Sequence, residues 1–299
     1  MRLPGKHLRF AAVLLTAAVS ATAQTHLTRV SPNLYAYISD NDHSANSTIL
    51  VGQHGILVVD TGLNATEGQK LLADIRSVSA LPVKFIVNTH YHPDHQGGNG
   101  VVGPEAIVIS SPFTRERTQQ LMTHFTQNPT TGTPADQRPA FKLATETVGD
   151  KLTIYMDDDP VEIIAAGPAH TMGDVYVFFP KQHTIAAGDV LMSNSSPAMD
   201  QGSAPNWIRT LDAMLALPAD HFVPGHFELG TRETITRFRN YMVDLKAQVD
   251  RLNESGATAE QVRAQINMDK YKDFRQFPQF HATFADNAEA MYRQLHPGQ

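Results

Sequence analysis

The segment "VNTHYHPDHQGGN", residues 87–99, sets His90, His92, Asp94 and His95 within six residues. Buried imidazoles and carboxylates need partners, so a run this dense in metal-ligand types constrains the fold more than any hydrophobic pattern in the chain. The preceding "VKFIVNT" is an apolar strand, which puts the cluster on a loop held by a rigid element. His90 and His92 alternate and can point the same way. Asp94 and His95 follow Pro93, which turns the chain, and can face elsewhere. One segment can therefore feed two metals side by side; ions about 3.5–4 Å apart share a water and polarise a carbonyl together. Gly97 and Gly98 permit close backbone approach and a tight entry into a helix.

A lone histidine is ordinarily a surface or hydrogen-bonded residue, and among the 14 in this chain His26, His43, His54 and His183 read that way. The cluster differs because it has counterparts. His170 in "GPAHTMGD", Asp189 in "AAGDVL" and His226 in "FVPGHF" each follow an apolar run at a turn flanked by Gly or Pro. Asp60 in "VVDTG" is a fourth polar residue at a strand end. It suits two roles equally: orienting a metal-bound histidine through its other ring nitrogen, or forming the turn. With no cysteine in the chain, any metal is held by nitrogen and oxygen.

The remaining pattern is α/β. Strands are expected at 34–38, 47–51, 55–62, 83–89, 106–110, 151–155, 161–165, 175–179, 183–187 and 221–226. Helices are expected at 67–78, 112–125, 206–217, 231–252, 258–266 and 286–295, with a Thr/Pro-rich loop at 129–139. Strands arriving in paired runs argue for mixed sheets packed face to face.

Residues 1–23 read as a secretory leader: Arg2, Lys6 and Arg9, an apolar run to Val19, then Ala21-Thr22-Ala23. The apolar run is too short to span a bilayer, and no later run is long enough. The expected protein is periplasmic or secreted, with no membrane span after cleavage. Removing the leader leaves 21 basic against 30 acidic residues, a net charge of −9. That acidity argues against nucleic-acid binding.

"HYHPDH", "AHT", "GDV" and "PGH", in this order, resemble the metallo-β-lactamase superfamily over roughly residues 34–229. The resemblance implies a four-layer αββα sandwich in residues 24–230, with 231–299 a helical C-terminal extension packed on the same domain. It implies that His90, His92 and His170 hold one metal, that Asp94, His95 and His226 hold a second, and that Asp189 bridges them. Two zinc ions suit this set best, though iron or manganese fit similar ligands. The implied chemistry is attack by a metal-bridging hydroxide on a carbonyl of a small molecule, with Asp94 also holding or receiving the proton. The carbonyl class stays open among ester, lactone, thioester and β-lactam. The stretch "AHTMGDVYVFFP" resembles secreted zinc β-lactamases. Asp189 instead resembles glyoxalase II-like thioesterases, and no Lys or Arg follows it before Arg209 to pair with a drug carboxylate. A non-catalytic periplasmic metal-binding module is the alternative of another class. The helical tail reads as a core-covering layer rather than a substrate-binding one. Tyr91, between two ligands, and Trp207 are candidates for lining a substrate pocket, core packing being the better reading for Trp207.

Overall fold

The computed structural model describes residues 26–128 and 133–297; the expected leader and residues 129–132 of the Thr/Pro-rich loop lie outside them. The first sheet runs in chain order: β1 (Leu27–Arg29), β2 (Leu34–Tyr37), β3 (Ser47–Val51), β4 (Ile56–Val59), β5 (Val83–Val87), β6 (Ile107–Ser110) and β7 (Glu146–Thr147). It is antiparallel from β1 to β4 and parallel from β4 to β7. The second sheet comprises β8 (Lys151–Met156), β9 (Asp159–Gly167), β10 (Asp174–Phe179), β11 (Thr184–Met192), β12 (His221–His226) and β13 (Gly230–Thr231). Only β11 and β12 run parallel in it.

Both sheets are buried on both faces, which is why their central strands read as unbroken apolar runs such as "ILVV" and "VYVFF". Side chains still alternate. Leu57, Val59 and Val87 point inward to meet Val175, Val177 and Phe179 of the facing sheet. Ile56, Val58 and Ile86 point outward onto Leu71 and Ile75 of α1 (Ala65–Val78). The first sheet carries, besides α1, α2 (Pro93–Gln96), α3 (Asn99–Val102) and α4 (Pro112–Gln127). The second carries α5 (Ala204–Ala216), α6 (Arg232–Glu254), α7 (Ala259–Gln265) and α8 (Phe284–Leu295). On that side Tyr176, Phe178 and Phe222 pack against α5, α6 and α8. The layering is αββα, with the C-terminal helices sharing one core with α5. Among the described residues no helix is long and apolar enough to cross a membrane.

Two local features seat the histidine loop and the end of β12. A Cβ on Gly68 of α1 would lie 2.9 Å from the Gly98 Cα, so these glycines let α1 and the turn into α3 touch backbone to backbone. That contact holds the histidine loop down on the sheet. At the far side, the buried Asn46 side chain donates to the carbonyls of Pro224 (3.1 Å) and Phe227 (2.8 Å), tying the start of β3 to the end of β12.

The strand expected at 183–187 continues to Met192 because "GDVL" is buried as well. Gly188, at φ +52°, bulges it, and the register with β12 shifts on both sides. Asp189 therefore projects from a bulge within a strand, not from a turn beyond one.

Phe222 is fully buried in the outer core of the second sheet. Phe222→Ala is expected to destabilise the fold by about 3–5 kcal/mol, read as a lower urea midpoint with an unchanged m-value.

Candidate metal centre

Strand ends converge at the seam between the sheets. β5 delivers His90, His92, Asp94 and His95; the loop between β9 and β10 delivers His170; β11 delivers Asp189; β12 ends on His226. The donor atoms sort into two groups that could each hold a metal: His90, His92, His170 and Asp189 in one, Asp94, His95 and His226 in the other. His92 Nδ1 stands 3.0 Å from His90 Nε2 and 3.2 Å from His170 Nε2. His226 Nε2 stands 3.2 Å from Asp94 Oδ2. Ligands 2.0–2.1 Å from one tetrahedral centre are separated by about 3.3 Å, so these spacings suit a shared ion.

Asp189 faces both groups. Its Oδ2 lies 3.4 Å from His170 Nε2, and its Oδ1 lies 3.2 Å from His95 Nε2 and 3.6 Å from His226 Nε2. Gly225 creates the space: a Cβ there would sit 1.8 Å from Asp189 Oδ1. The Gly of "PGH" is thus the neighbour that the carboxylate requires.

The other ring nitrogens are held. His95 Nδ1 meets Asp60 Oδ2 at 2.7 Å, and His170 Nδ1 meets the Ala198 carbonyl at 3.2 Å. Both partners only accept, so these nitrogens carry protons and Nε2 is the atom turned to the site. His92 Nε2 lies 2.9 Å from Gln201 Oε1, leaving Nδ1 free inward. Thr89 Oγ1 donates to Asp60 Oδ2 at 2.7 Å and can accept from His90 Nδ1 at 3.2 Å. Asp60, itself at φ +57°, therefore orients His95 directly and His90 through Thr89. Thr89 and Gln201 carried no signal in the sequence, being a common strand residue and a loop residue outside any motif.

The electrostatics ask for a cation. Burial pushes His90 well below its usual pKa, helped by charge on His95 and His92, and brings His170 down to about 4. Burial also opposes protonating His95, but Asp189, Asp60 and Asp94 around it win and hold it well above the usual value. Burial would raise Asp94, yet His95 and His226 lower it to about 2. His95 Nε2 and Asp189 Oδ1, 3.2 Å apart, are buried with no well-aligned hydrogen-bond partner and face one region. An all-nitrogen-and-oxygen donor set with orphaned inward atoms fits divalent metal.

The cluster floors a cavity of about 580 Å³. Tyr91 and Trp207 do not line it. Tyr91 is nearly buried and donates from its hydroxyl to Gln201, while Trp207 is buried behind His170 and donates from Nε1 to the Val190 carbonyl at 2.8 Å. The cavity is walled instead by Met192, Phe227, Phe277 and Phe280, with His43 also lining it. His43 is exposed, as a surface histidine is, and sits at the cavity mouth; the C-terminal extension supplies part of the cavity wall as well as a core layer.

Gly225→Ala should keep the fold by circular dichroism yet lower bound metal per chain, measured by plasma mass spectrometry. Asp60→Asn should weaken metal affinity by about 10–100-fold, measured by competition with a chromogenic chelator.

The metallo-beta-lactamase superfamily profile matches residues 40–226. The alpha subunit of a 2,4-dinitroanisole O-demethylase from Nocardioides sp. is 24% identical over 76% of this chain and 63% of its own length. A type 2 metallo-beta-lactamase from Bacteroides fragilis is 22% identical over 75% of this chain and 88% of its own. A stereoselective inverting sec-alkylsulfatase from Pseudomonas sp. superposes with a TM-score of 0.70 at 16% identity, over 92% of this chain and 51% of that one. The chain thus spans under two thirds of the demethylase subunit and about half of the sulfatase. The seam-mounted histidine and aspartate cluster and the profile match agree: the chain belongs to the metallo-β-lactamase superfamily.

Proposed function

We propose that this protein is an exported dinuclear metallo-hydrolase, with zinc as the resident metal, that cleaves an ester, lactone, thioester or β-lactam of a small molecule. The observation that carries this reading is Asp189, whose two carboxylate oxygens face two separate ligand groups. Two bound divalent ions would supply Lewis acidity and a water ionised near neutral pH. The chain does the rest. His90, His92 and His170 would hold one ion, Asp94, His95 and His226 the other, and Asp189 would span them. Gln201, Thr89, Asp60 and the Ala198 carbonyl keep four of the imidazoles in one tautomer and one orientation. Asp94 lies at the cavity floor with its carboxylate ionised, placed to take a proton as the carbonyl is attacked. An apolar wall of Met192, Phe227, Phe277 and Phe280 stands beside the site.

The test is a panel of lactone, thioester, aryl ester, nitrocefin and alkyl sulfate, run with zinc-supplied and chelator-stripped protein. At least one carbonyl substrate is expected to turn over, to fall to background on chelation and in His90→Ala, and to recover when zinc is restored to the wild type. Full metal occupancy with no turnover of any substrate would make the protein a metal-binding module instead. Turnover of the alkyl sulfate alone would move the reaction from carbon to sulfur esters.

A further inference from the structure

The cavity above the cluster is bordered by aromatic rings and by carboxylates. The rings are held in place. The segment 275–282 is fastened at its base by Arg275, whose N–H donates to the Asn194 carbonyl and whose carbonyl accepts from Ser196, each at 2.9 Å. Phe277 and Ala282 bond back to one another across the turn at 3.2 and 3.1 Å. Phe277 stacks on Phe227 with centroids 5.6 Å apart and rings 5° from parallel. Phe227 holds the left-handed φ of +69°, a strained state for a bulky residue that persists only where its surroundings impose it. Phe280, 48% exposed, meets the edge of His43 at 5.5 Å.

Two carboxylates stand beside these rings. Asp42 and Asp200 line the cavity; among the described residues they make no hydrogen bond or ion pair, and no lysine or arginine lines it. Arg275, the cation that feels Asp42, is committed to Glu228 at 3.0 Å and to the face of Phe227 at 4.5 Å.

Resting on the hydrolase reading above, we propose that this wall selects the substrate by its tail, the part remote from the bond that breaks. The tail is apolar, seats against Phe277 and Phe280, and carries no negative charge. An anionic tail seated against that wall, away from the metal floor, would lose water, meet two carboxylates and find no lysine or arginine among the lining residues to pair with. An apolar tail gains affinity of about fourfold per buried methylene.

The test compares 4-nitrophenyl hexanoate with the 4-nitrophenyl monoester of hexanedioic acid on the zinc-supplied full chain. Calorimetric binding of the two matching unreactive N-phenyl amides runs beside it. The neutral ester is expected to lead by about tenfold or more in kcat/KM, and the neutral amide to bind tighter by a similar factor. Phe277→Ala should shrink the neutral lead with metal content unchanged. If that variant fails to fold, the pair Asp42→Asn and Asp200→Asn should narrow the same ratio several-fold from the other side. Equal or better performance by the acid-tailed ester, or by its amide, would overturn the proposal. No turnover of either ester with the amide order preserved would sink the hydrolase reading and leave the tail selectivity standing.

Discussion

Three carboxylates and five imidazoles meet in a buried space at the seam of two sheets, and the rest of the structure is arranged around that crowding. Such a group is costly to bury without a compensating charge. His95 shows the demand most clearly: with Asp60, Asp94 and Asp189 around it, its proton is held far above the usual range. A divalent cation answers the same demand with better geometry. The strand ends, the bulge at Gly188 and the absence of a side chain at Gly225 all serve to bring these groups to one place.

That placement depends on parts well removed from the ligands. Asn46 ties the rim of the first sheet to the strand that ends on His226. The contact between Gly68 and Gly98 seats the histidine loop. The C-terminal helices have a double role. α6 and α8 complete the outer core with α5, and the turn ahead of α8 reaches over the cavity with Phe277 and Phe280. The superfamily match ends at residue 226, so this wall is built from the part of the chain beyond the shared domain.

Much of this was legible in the sequence, for physical reasons. The central strands are buried on both faces, so they stand out as apolar runs, and ligand-type residues follow those runs at turns marked by Gly or Pro. His90, His92, Asp94, His95, His170, Asp189 and His226 could be picked out on that pattern, and the structure brings them together. Asp60 was ambiguous because a turn aspartate and an orienting aspartate look alike locally; its 2.7 Å contact with His95 exists only in three dimensions. Gln201, Asp42 and Phe280 were not legible because they lie on loops with no period, and their roles come from what the fold sets opposite them. Trp207, near the motifs in sequence, was open to a pocket role with core packing the better reading; helix α5 turns it into the core, where its ring backs His170. The two-residue strands β7 and β13 are too short to leave a pattern at all.

The central claim is that one chain holds two ions with Asp189 between them. Anomalous diffraction at the zinc edge, from crystals of metal-supplied protein, tests it most directly. The account predicts two peaks about 3.5–4 Å apart, one within reach of His90, His92 and His170, the other within reach of Asp94, His95 and His226, with an oxygen of Asp189 on each. A single peak, or two peaks that Asp189 does not touch, would contradict it.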